Sequence, residues 1–154
     1  MRVVCVRHGE AVSPDDATDA HRWLTDAGRA AVRELGARLL AAGHVASVIY
    51  TSPLVRAVQT AELLAAATGF AGAVGARPAL ALGTASQVVD MVDSNLMTDT
   101  VMLVGHEPSI RAFAAHFSGE ARLGAFAPAT AVIAEWDAET HQGRFVARLD
   151  PGLG

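Results

Sequence analysis

Short apolar runs alternate with longer amphipathic stretches along the chain. Residues 2–7, 47–51 and 100–104 are short, apolar and rich in β-branched residues, which is the pattern of buried strands. Apolar residues at helical spacing follow each of these runs. The pattern predicts strands at 2–7, 47–51, 100–104, 129–136 and 144–149, and helices from Thr25 to Gly43, from Ser52 to about Thr68, over 84–97, and from Pro108 to about His116.

Capping residues indicate where two of the predicted helices begin. Thr25 is a plausible N-cap, and Ser52-Pro53 places a capping residue before a proline at the first helical position. Residues 69–83 contain glycine and proline and end in Ala79-Leu80-Ala81-Leu82, for which we expect a short edge strand. The polar stretch from Asp15 to Arg22, including Asp19, is typical of a solvated loop.

The alternation of strands and helices predicts the fold class. It favours an α/β protein, a three-layer α/β/α sandwich whose central sheet is mostly parallel. The two last strands are separated only by the turn-like stretch 137–143, so they should form an antiparallel edge. A length of 154 residues suits a single domain over 1–154.

Charge and composition narrow the expected partners. The chain has 12 basic and 16 acidic residues and no basic tract, which argues against nucleic acid or an anionic membrane surface as a partner. No apolar run approaches the roughly 20 residues that span a bilayer, and the predicted first strand leaves no room for a signal peptide. The one cysteine, Cys5, cannot form an internal disulfide, so the expected localisation is cytoplasmic.

Three strand-to-helix junctions carry polar chemistry. They are Arg7-His8-Gly9, Ser52 to Arg56, and Gly105-His106-Glu107-Pro108. Ligands of open α/β sheets bind beyond the carboxyl ends of the strands, where all three junctions are predicted to lie. The sequence therefore predicts two arginines and two histidines at one rim.

This residue set suits phosphoryl chemistry. Arginine binds phosphate oxygens bidentately and stays charged, and a histidine with an unprotonated ring nitrogen can attack phosphorus. Nearby arginines would lower the pKa of that histidine, while a second histidine, when protonated, can neutralise charge on the transferring group. Arg56 falls in the first helical turn, where its charge opposes the helix dipole unless an anion binds. Gly9 permits the strand to end so that Arg7 and His8 reach one phosphate.

The motifs resemble those of the histidine phosphatase superfamily, with its phosphoglycerate-mutase-like fold. Arg7-His8-Gly9 after an N-terminal strand, Ser52-Pro53-x-x-Arg56-Ala57-x-x-Thr60 and Val104-Gly105-His106 match its three motifs in order and spacing. The short chain and the run 22–28 resemble the compact SixA-like branch of phosphohistidine phosphatases. This resemblance implies that His8 is the nucleophile and that Arg7, Arg56 and His106 complete the phosphate pocket. Gly9 and, at the rim, Arg22 would also bind phosphate.

The sequence lacks a general acid at the position where many members of the wider family have one. Many members carry a glutamate between the second and third motifs, but residues 69–89 contain no Asp or Glu. Glu10 and Glu107 are the candidates that follow the histidine motifs directly. A phosphoramidate has a weak P–N bond and needs little acid help, which favours phosphohistidine over alkyl phosphates.

The sequence leaves several functions open. The preferred one is a metal-independent phosphatase, without cofactor, that acts on phosphohistidine in a protein. A phosphatase for a small phosphoester metabolite and a non-catalytic module that binds a phosphorylated ligand are the alternatives. A mutase is disfavoured by the short chain and the missing acid. No Cys/His cluster has metal-ligand spacing, and the sequence does not determine the oligomeric state.

Overall fold

The chain is organised around a sheet whose strands and helices alternate as the sequence predicts. A computed structural model describes residues 1–95 and 97–152. Its elements are β1 (Arg2–Arg7), a 3-10 helix (Asp19–His21), α1 (Asp26–Ala41), β2 (Val48–Thr51), α2 (Val55–Thr68), β3 (Gly75–Ala76), α3 (Ala79–Leu82), α4 (Ala85–Asp93), β4 (Thr100–Gly105), α5 (Ser109–Ser118), β5 (Ala131–Asp137) and β6 (Gln142–Leu149).

The described strands form one sheet in the order β3-β2-β4-β1-β5-β6. The strands β3, β2, β4 and β1 are parallel, whereas β5 pairs antiparallel with β1 and with β6. The predicted mostly parallel sheet with an antiparallel edge is therefore confirmed. Since β1 and β4 lie in the middle, the strand ends that precede His8 and His106 are neighbours.

Alternate residues of β1 face opposite layers of helices. Val4 and Val6 pack into a cluster with the buried faces of α1 and α2, while Val3 and Cys5 pack into a second cluster with α4 and α5. Side chains on successive strand residues point to opposite faces, so a strand buried on both faces is apolar throughout. The result is the predicted α/β/α sandwich.

The start of α2 differs from the prediction. The helix begins at Val55 with Leu54 at the N-cap, so Ser52-Pro53 precedes the helix instead of capping it. The Ser52 hydroxyl accepts a hydrogen bond from the Leu54 amide at 3.2 Å in a turn. Ser52-Pro53 thus marks the end of the loop. Because the serine hydroxyl does not cap the helix, it is available for a further contact. The other predicted cap is confirmed, since the Thr25 side chain accepts from the Gly28 amide.

The predicted edge strand at 79–82 is wrong. These residues form the short helix α3, and the strand of this region is the pair Gly75–Ala76, which pairs with β2. Alanine and leucine are strong helix formers, and Leu80 is buried whereas Leu82 is 93% exposed, so the two leucines do not share one face as they would in a strand. A four-residue segment does not distinguish the two periods.

Two further boundaries differ. Helix α4 ends at Asp93, short of the predicted residue 97, and Leu96 lies outside the described residues. The predicted loop from Asp15 to Arg22 contains the 3-10 turn Asp19–His21. No helix among the described residues is long and apolar enough to cross a membrane.

Candidate active site

The sheet register brings the three junctions to the same level. Arg7 pairs with Gly105 across β1 and β4, and Thr51 pairs with Val104 across β2 and β4. The residues that follow each strand therefore leave the sheet side by side. The ring centroids of His8 and His106 are 5.1 Å apart, as the predicted shared rim requires.

The backbone around Gly9 fixes the ring of His8. The Nδ1 atom of His8 lies 2.7 Å from the Gly9 carbonyl oxygen. A carbonyl only accepts, so Nδ1 carries the proton and donates, and Nε2 keeps its lone pair. The Gly9 amide donates to the Thr60 hydroxyl at 3.0 Å, so it is already engaged in this structure. Gly9 thus orients His8 through its carbonyl, and its phosphate contact stays a prediction.

Close packing explains why residue 9 is a glycine. A Cβ atom there would lie 2.7 Å from Cγ2 of Val32 and 3.1 Å from the carbonyl oxygen of Gly28. Both neighbours belong to α1, so the chain after β1 is pressed against this helix. The close contact of this segment with α1 therefore requires a glycine at position 9.

Burial keeps His8 neutral. The residue is only 7% exposed. Desolvation lowers the pKa of His8 to about 3, and the nearby His106, Arg56 and Arg7 lower it further, against the opposing effect of the Gly9 hydrogen bond. At neutral pH the ring is therefore unprotonated at Nε2, the state that a nucleophile needs.

Arg56 lies beside the free nitrogen of His8. The residue is buried, at 7% exposure, and its Nε is 3.4 Å from Nε2 of His8. One terminal nitrogen donates to the backbone carbonyl of Asp19 at 2.7 Å, and the other lies 3.5 Å from the Asp19 carboxylate. A cation in the first turn of α2, held next to an unprotonated histidine, is a ready contact for a phosphoryl group.

His106 and Ser52 form the opposite wall. The Nε2 atom of His106 lies 2.7 Å from the Ser52 hydroxyl, which also accepts from the Leu54 amide in the turn before α2. Its Nδ1 atom is buried and has no hydrogen-bond partner among the described residues. Desolvation, followed by the charge of Arg56, lowers the pKa of His106 to about 4. The second histidine, which the sequence analysis considers in its protonated form, is therefore neutral in this structure at pH 7.

Arg7 is anchored from one side only. Its Nη1 donates to the Phe126 carbonyl at 2.7 Å, whereas its buried Nε has no partner within the described part of the chain. The Phe126 amide donates to Glu107 at 3.2 Å, and Glu107 also pairs with Arg111 at 3.4 Å. Glu107 therefore holds the loop that holds Arg7, and its carboxylate is already engaged.

The other two predicted residues lie at the periphery. Glu10 is exposed and accepts a hydrogen bond from the Thr25 hydroxyl at 2.8 Å. Arg22 donates from Nε to the Val12 carbonyl at 2.8 Å and from Nη1 to the Asp19 carboxylate at 3.2 Å. The structure gives neither residue a direct contact with His8 among the described hydrogen bonds.

Sequence reasoning missed Asp19 and the role of Ser52. Asp19 was expected in a solvated loop, yet its carboxylate lies between Arg22 and Arg56. The i, i+3 spacing of Asp19 and Arg22 was a visible signal for one of these contacts. No spacing in the sequence reports the fold-back of this segment onto α2.

The described residues contain no group of three or more His, Cys, Asp or Glu side chains placed to hold a metal ion. Cys5 is buried in β1, and burial raises the pKa of its thiol to about 12. It is therefore an inert core residue.

Comparisons with known proteins agree with this geometry. Residues 3–81 match the model of the histidine phosphatase superfamily (branch 1), a range that includes His8 and Arg56. The chain belongs to this superfamily, and the resemblance seen in the motifs is confirmed. No match was found among curated protein sequences.

Solved structures share the whole fold. The protein histidine phosphatase SixA, in complex with tungstate, has a TM-score of 0.90 at 24% identity, with 98% of this chain and 97% of that chain covered. A provisionally assigned phosphohistidine phosphatase SixA from Nakamurella multipartitia has a TM-score of 0.78 at 26% identity, covering 97% and 95%. The alpha-ribazole phosphatase from Shigella flexneri has a TM-score of 0.78 at 14% identity, covering 100% and 98%. Proteins named for different substrates thus share this architecture.

Proposed function

We propose that the protein is a phosphatase that acts through a phosphohistidine intermediate on His8, and that its substrate is a phosphohistidine side chain of another protein. The observation that carries this proposal is the hydrogen bond from His8 Nδ1 to the Gly9 carbonyl. It leaves Nε2 unprotonated and directed toward the guanidinium of Arg56. That nitrogen is the nucleophile.

In the first step, Nε2 of His8 attacks phosphorus in line as the bond from phosphorus to the leaving group breaks. Arg7, Arg56 and His106 bind the three non-bridging oxygens, which carry the negative charge. Arg7 Nε and His106 Nδ1 are two of the three buried side-chain polar atoms that have no partner among the described residues, and phosphate oxygens would supply partners for both. Binding the dianion also raises the pKa of His106, which favours its protonation at that moment.

The retained proton on Nδ1 assists the second step. When Nε2 bonds to phosphorus while Nδ1 keeps its proton, the ring becomes a cationic phosphoimidazolium, and the Gly9 carbonyl stabilises that charge. Water then attacks phosphorus, the P–N bond breaks, and the electron pair returns to Nε2. His8 leaves as a neutral imidazole, so this step requires no proton donor for it.

The substrate preference is inferred from the lack, among the candidate residues, of an unengaged carboxylate to act as general acid. Residues 69–89 contain no Asp or Glu, and α3, which lies in this segment, is apolar. Glu10 and Glu107 are engaged by Thr25 and by Phe126 and Arg111, respectively. A phosphoester with a poor leaving group gains about 10²–10⁴-fold from a general acid, whereas a leaving imidazole takes up its own proton. This site is therefore better suited to a phosphoramidate.

The experiment measures phosphate release from a phosphohistidine peptide and from p-nitrophenyl phosphate by wild type, His8→Ala and His116→Ala. His116 is exposed on α5 and serves as the matched control. We expect release from the peptide to be faster than from the ester, to vanish in His8→Ala and to persist in His116→Ala. An alkaline quench of wild type should trap a phosphoenzyme that is stable in base and labile in acid.

Other outcomes would change the assignment. Fast, His8-dependent turnover of the ester alone would point to a small phosphoester as the substrate. Tungstate or phosphate binding without turnover of either compound would point to a module that binds a phosphorylated ligand.

A further inference from the structure

The Asp19 carboxylate occupies a position between two arginines at the mouth of the site. Its Oδ1 atom accepts from Nη1 of Arg22 at 3.2 Å and lies 3.5 Å from Nη2 of Arg56. The same Arg56 guanidinium contacts Nε2 of His8 through its Nε at 3.4 Å. One arginine side chain therefore separates this carboxylate from the proposed nucleophile.

Asp19 lies on the solvent side of Arg56. Its side chain is 69% exposed, whereas that of Arg56 is 9% exposed and His8 is buried. The backbone carbonyl of Asp19 accepts from Arg56 Nη1 at 2.7 Å, so the 3-10 turn is attached to the guanidinium twice. The turn therefore lies against the solvent-facing side of the arginine that contacts His8.

The carboxylate is charged in this position. The hydrogen bond from Arg22 and the nearby charge of Arg56 hold the pKa of Asp19 below its ordinary value. The Arg56 guanidinium, which contacts His8, is thus accompanied by a negative charge on its solvent side. In the proposed function Arg7 and Arg56 compensate the dianionic phosphoryl group, and the Asp19 carboxylate would repel a further negative charge placed beside Arg56.

We propose that Asp19 is a specificity-determining residue that disfavours phosphorylated substrates with a second negative group close to the phosphoryl group. This inference rests on the proposed phosphatase function and names the substrate class that the site selects: phosphoryl groups on neutral or cationic leaving groups. Two unit charges about 6 Å apart in a water-like dielectric repel each other enough to change a rate about threefold, and more where water is excluded. A phosphohistidine, whose leaving imidazole is neutral or cationic, escapes this penalty.

The test compares two aryl phosphates that differ in one charge, 4-carbamoylphenyl phosphate and 4-carboxyphenyl phosphate. The amide and the carboxylate have nearly the same shape, and their intrinsic difference in reactivity is the same for both enzymes, so the change in the ratio of kcat/KM values between wild type and Asp19→Asn reports the charge. We expect Asp19→Asn to lower the preference for the amide ester by about threefold or more relative to wild type. A loss of Arg56 positioning would lower kcat/KM for both esters equally and would leave the ratio unchanged.

Asp16→Asn is the matched control. It makes the same change in the same segment, and none of the described hydrogen bonds or ion pairs involves the Asp16 carboxylate. We expect it to keep the wild-type ratio. Turnover of both esters with equal ratios in wild type and Asp19→Asn would overturn the inference and leave the phosphatase function standing. Absence of His8-dependent phosphate release from both the phosphohistidine peptide and the amide ester would overturn the proposed function, and the inference with it.

Discussion

The strand ends that carry Arg7, His8 and His106 are held in a different way from the segment that carries Asp19 and Arg22. At the strand ends, the backbone itself continues the sheet: the His8 amide donates to the Gly105 carbonyl at 3.0 Å and the Ser52 amide to Val104 at 2.9 Å. These bonds connect residues far apart in sequence. Their geometry is set by the sheet and its two buried cores, so it resists local change.

The segment 13–22 is tied mainly to itself and to arginine side chains. Its backbone bonds are local, such as Asp16 to Ser13 and Arg22 to Asp19. It reaches α2 through Arg56, whose guanidinium binds the turn at Asp19. Groups that need a fixed geometry for phosphoryl transfer thus lie on the sheet, and the groups that meet the rest of the substrate lie on an exposed segment.

Matched arginine substitutions test this contrast most strongly. Arg56→Lys keeps the charge but loses the fork that contacts both His8 and Asp19. Because removing one aligned donor typically lowers turnover about 10²–10³-fold, we expect a loss of that order in kcat for a phosphohistidine peptide. Arg22→Lys, in the exposed segment, should lose less than about tenfold. Steady-state kinetics measure kcat for both variants. Equal losses of kcat would show that the strand ends and the exposed segment contribute equally to catalysis.

A glycine pair tests whether α1 fixes the chain after His8. A Cβ atom on Gly28 would lie 2.2 Å from the Glu10 carbonyl oxygen, so Gly28→Ala must displace the backbone next to Gly9. Helix propensity alone favours alanine by about 1 kcal/mol, but overpacking costs about 1–3 kcal/mol and dominates. We expect urea unfolding to show a net loss of stability and the activity per folded molecule to fall, since the Gly9 carbonyl orients His8.

Gly43→Ala is the control for Gly28→Ala. Gly43 has a φ of +78° with no atom within 4 Å of a Cβ, and it lies beyond the end of α1, away from the site. The left-handed backbone costs alanine about 1–2 kcal/mol. The two variants should therefore lose similar stability, yet only Gly28→Ala should lose specific activity. Full specific activity in Gly28→Ala would show that the contact with α1 does not determine the orientation of His8.

The same contrast explains which features the sequence could predict. Arg7 ends a strand, His8 and His106 follow strands directly, and Arg56 lies in the first turn of a helix. Parallel strands end at one edge of a sheet. Their meeting follows from topology, which the alternation of apolar runs already indicates. Asp19 reaches the site by folding of an irregular segment, and no periodicity describes such a path.

Short signals with two physical meanings account for the errors. Ser52-Pro53 has the composition of a helix cap, but the serine instead accepts from Leu54 in a turn and contacts His106. Ala79-Leu80-Ala81-Leu82 fits a period of two as well as one helical turn, and the choice depended on what Leu80 could pack against. In both places tertiary packing decided between local structures of similar energy.

The loss of folding stability in acid is the smallest effect expected at the strand ends that carry His8 and His106. The pKa values of His8 and His106 are lowered to about 3 and about 4, below the ordinary histidine value, so the unfolded chain binds more protons than the folded chain as pH falls from about 6.5. Stability should therefore decrease on acidification, by about 1–2 kcal/mol per histidine at pH 5. His8→Asn keeps a donor for the Gly9 carbonyl but cannot titrate. Urea unfolding at pH 7 and pH 5 should show a smaller loss for this variant than for wild type, and equal losses would mean that His8 is not held neutral by burial.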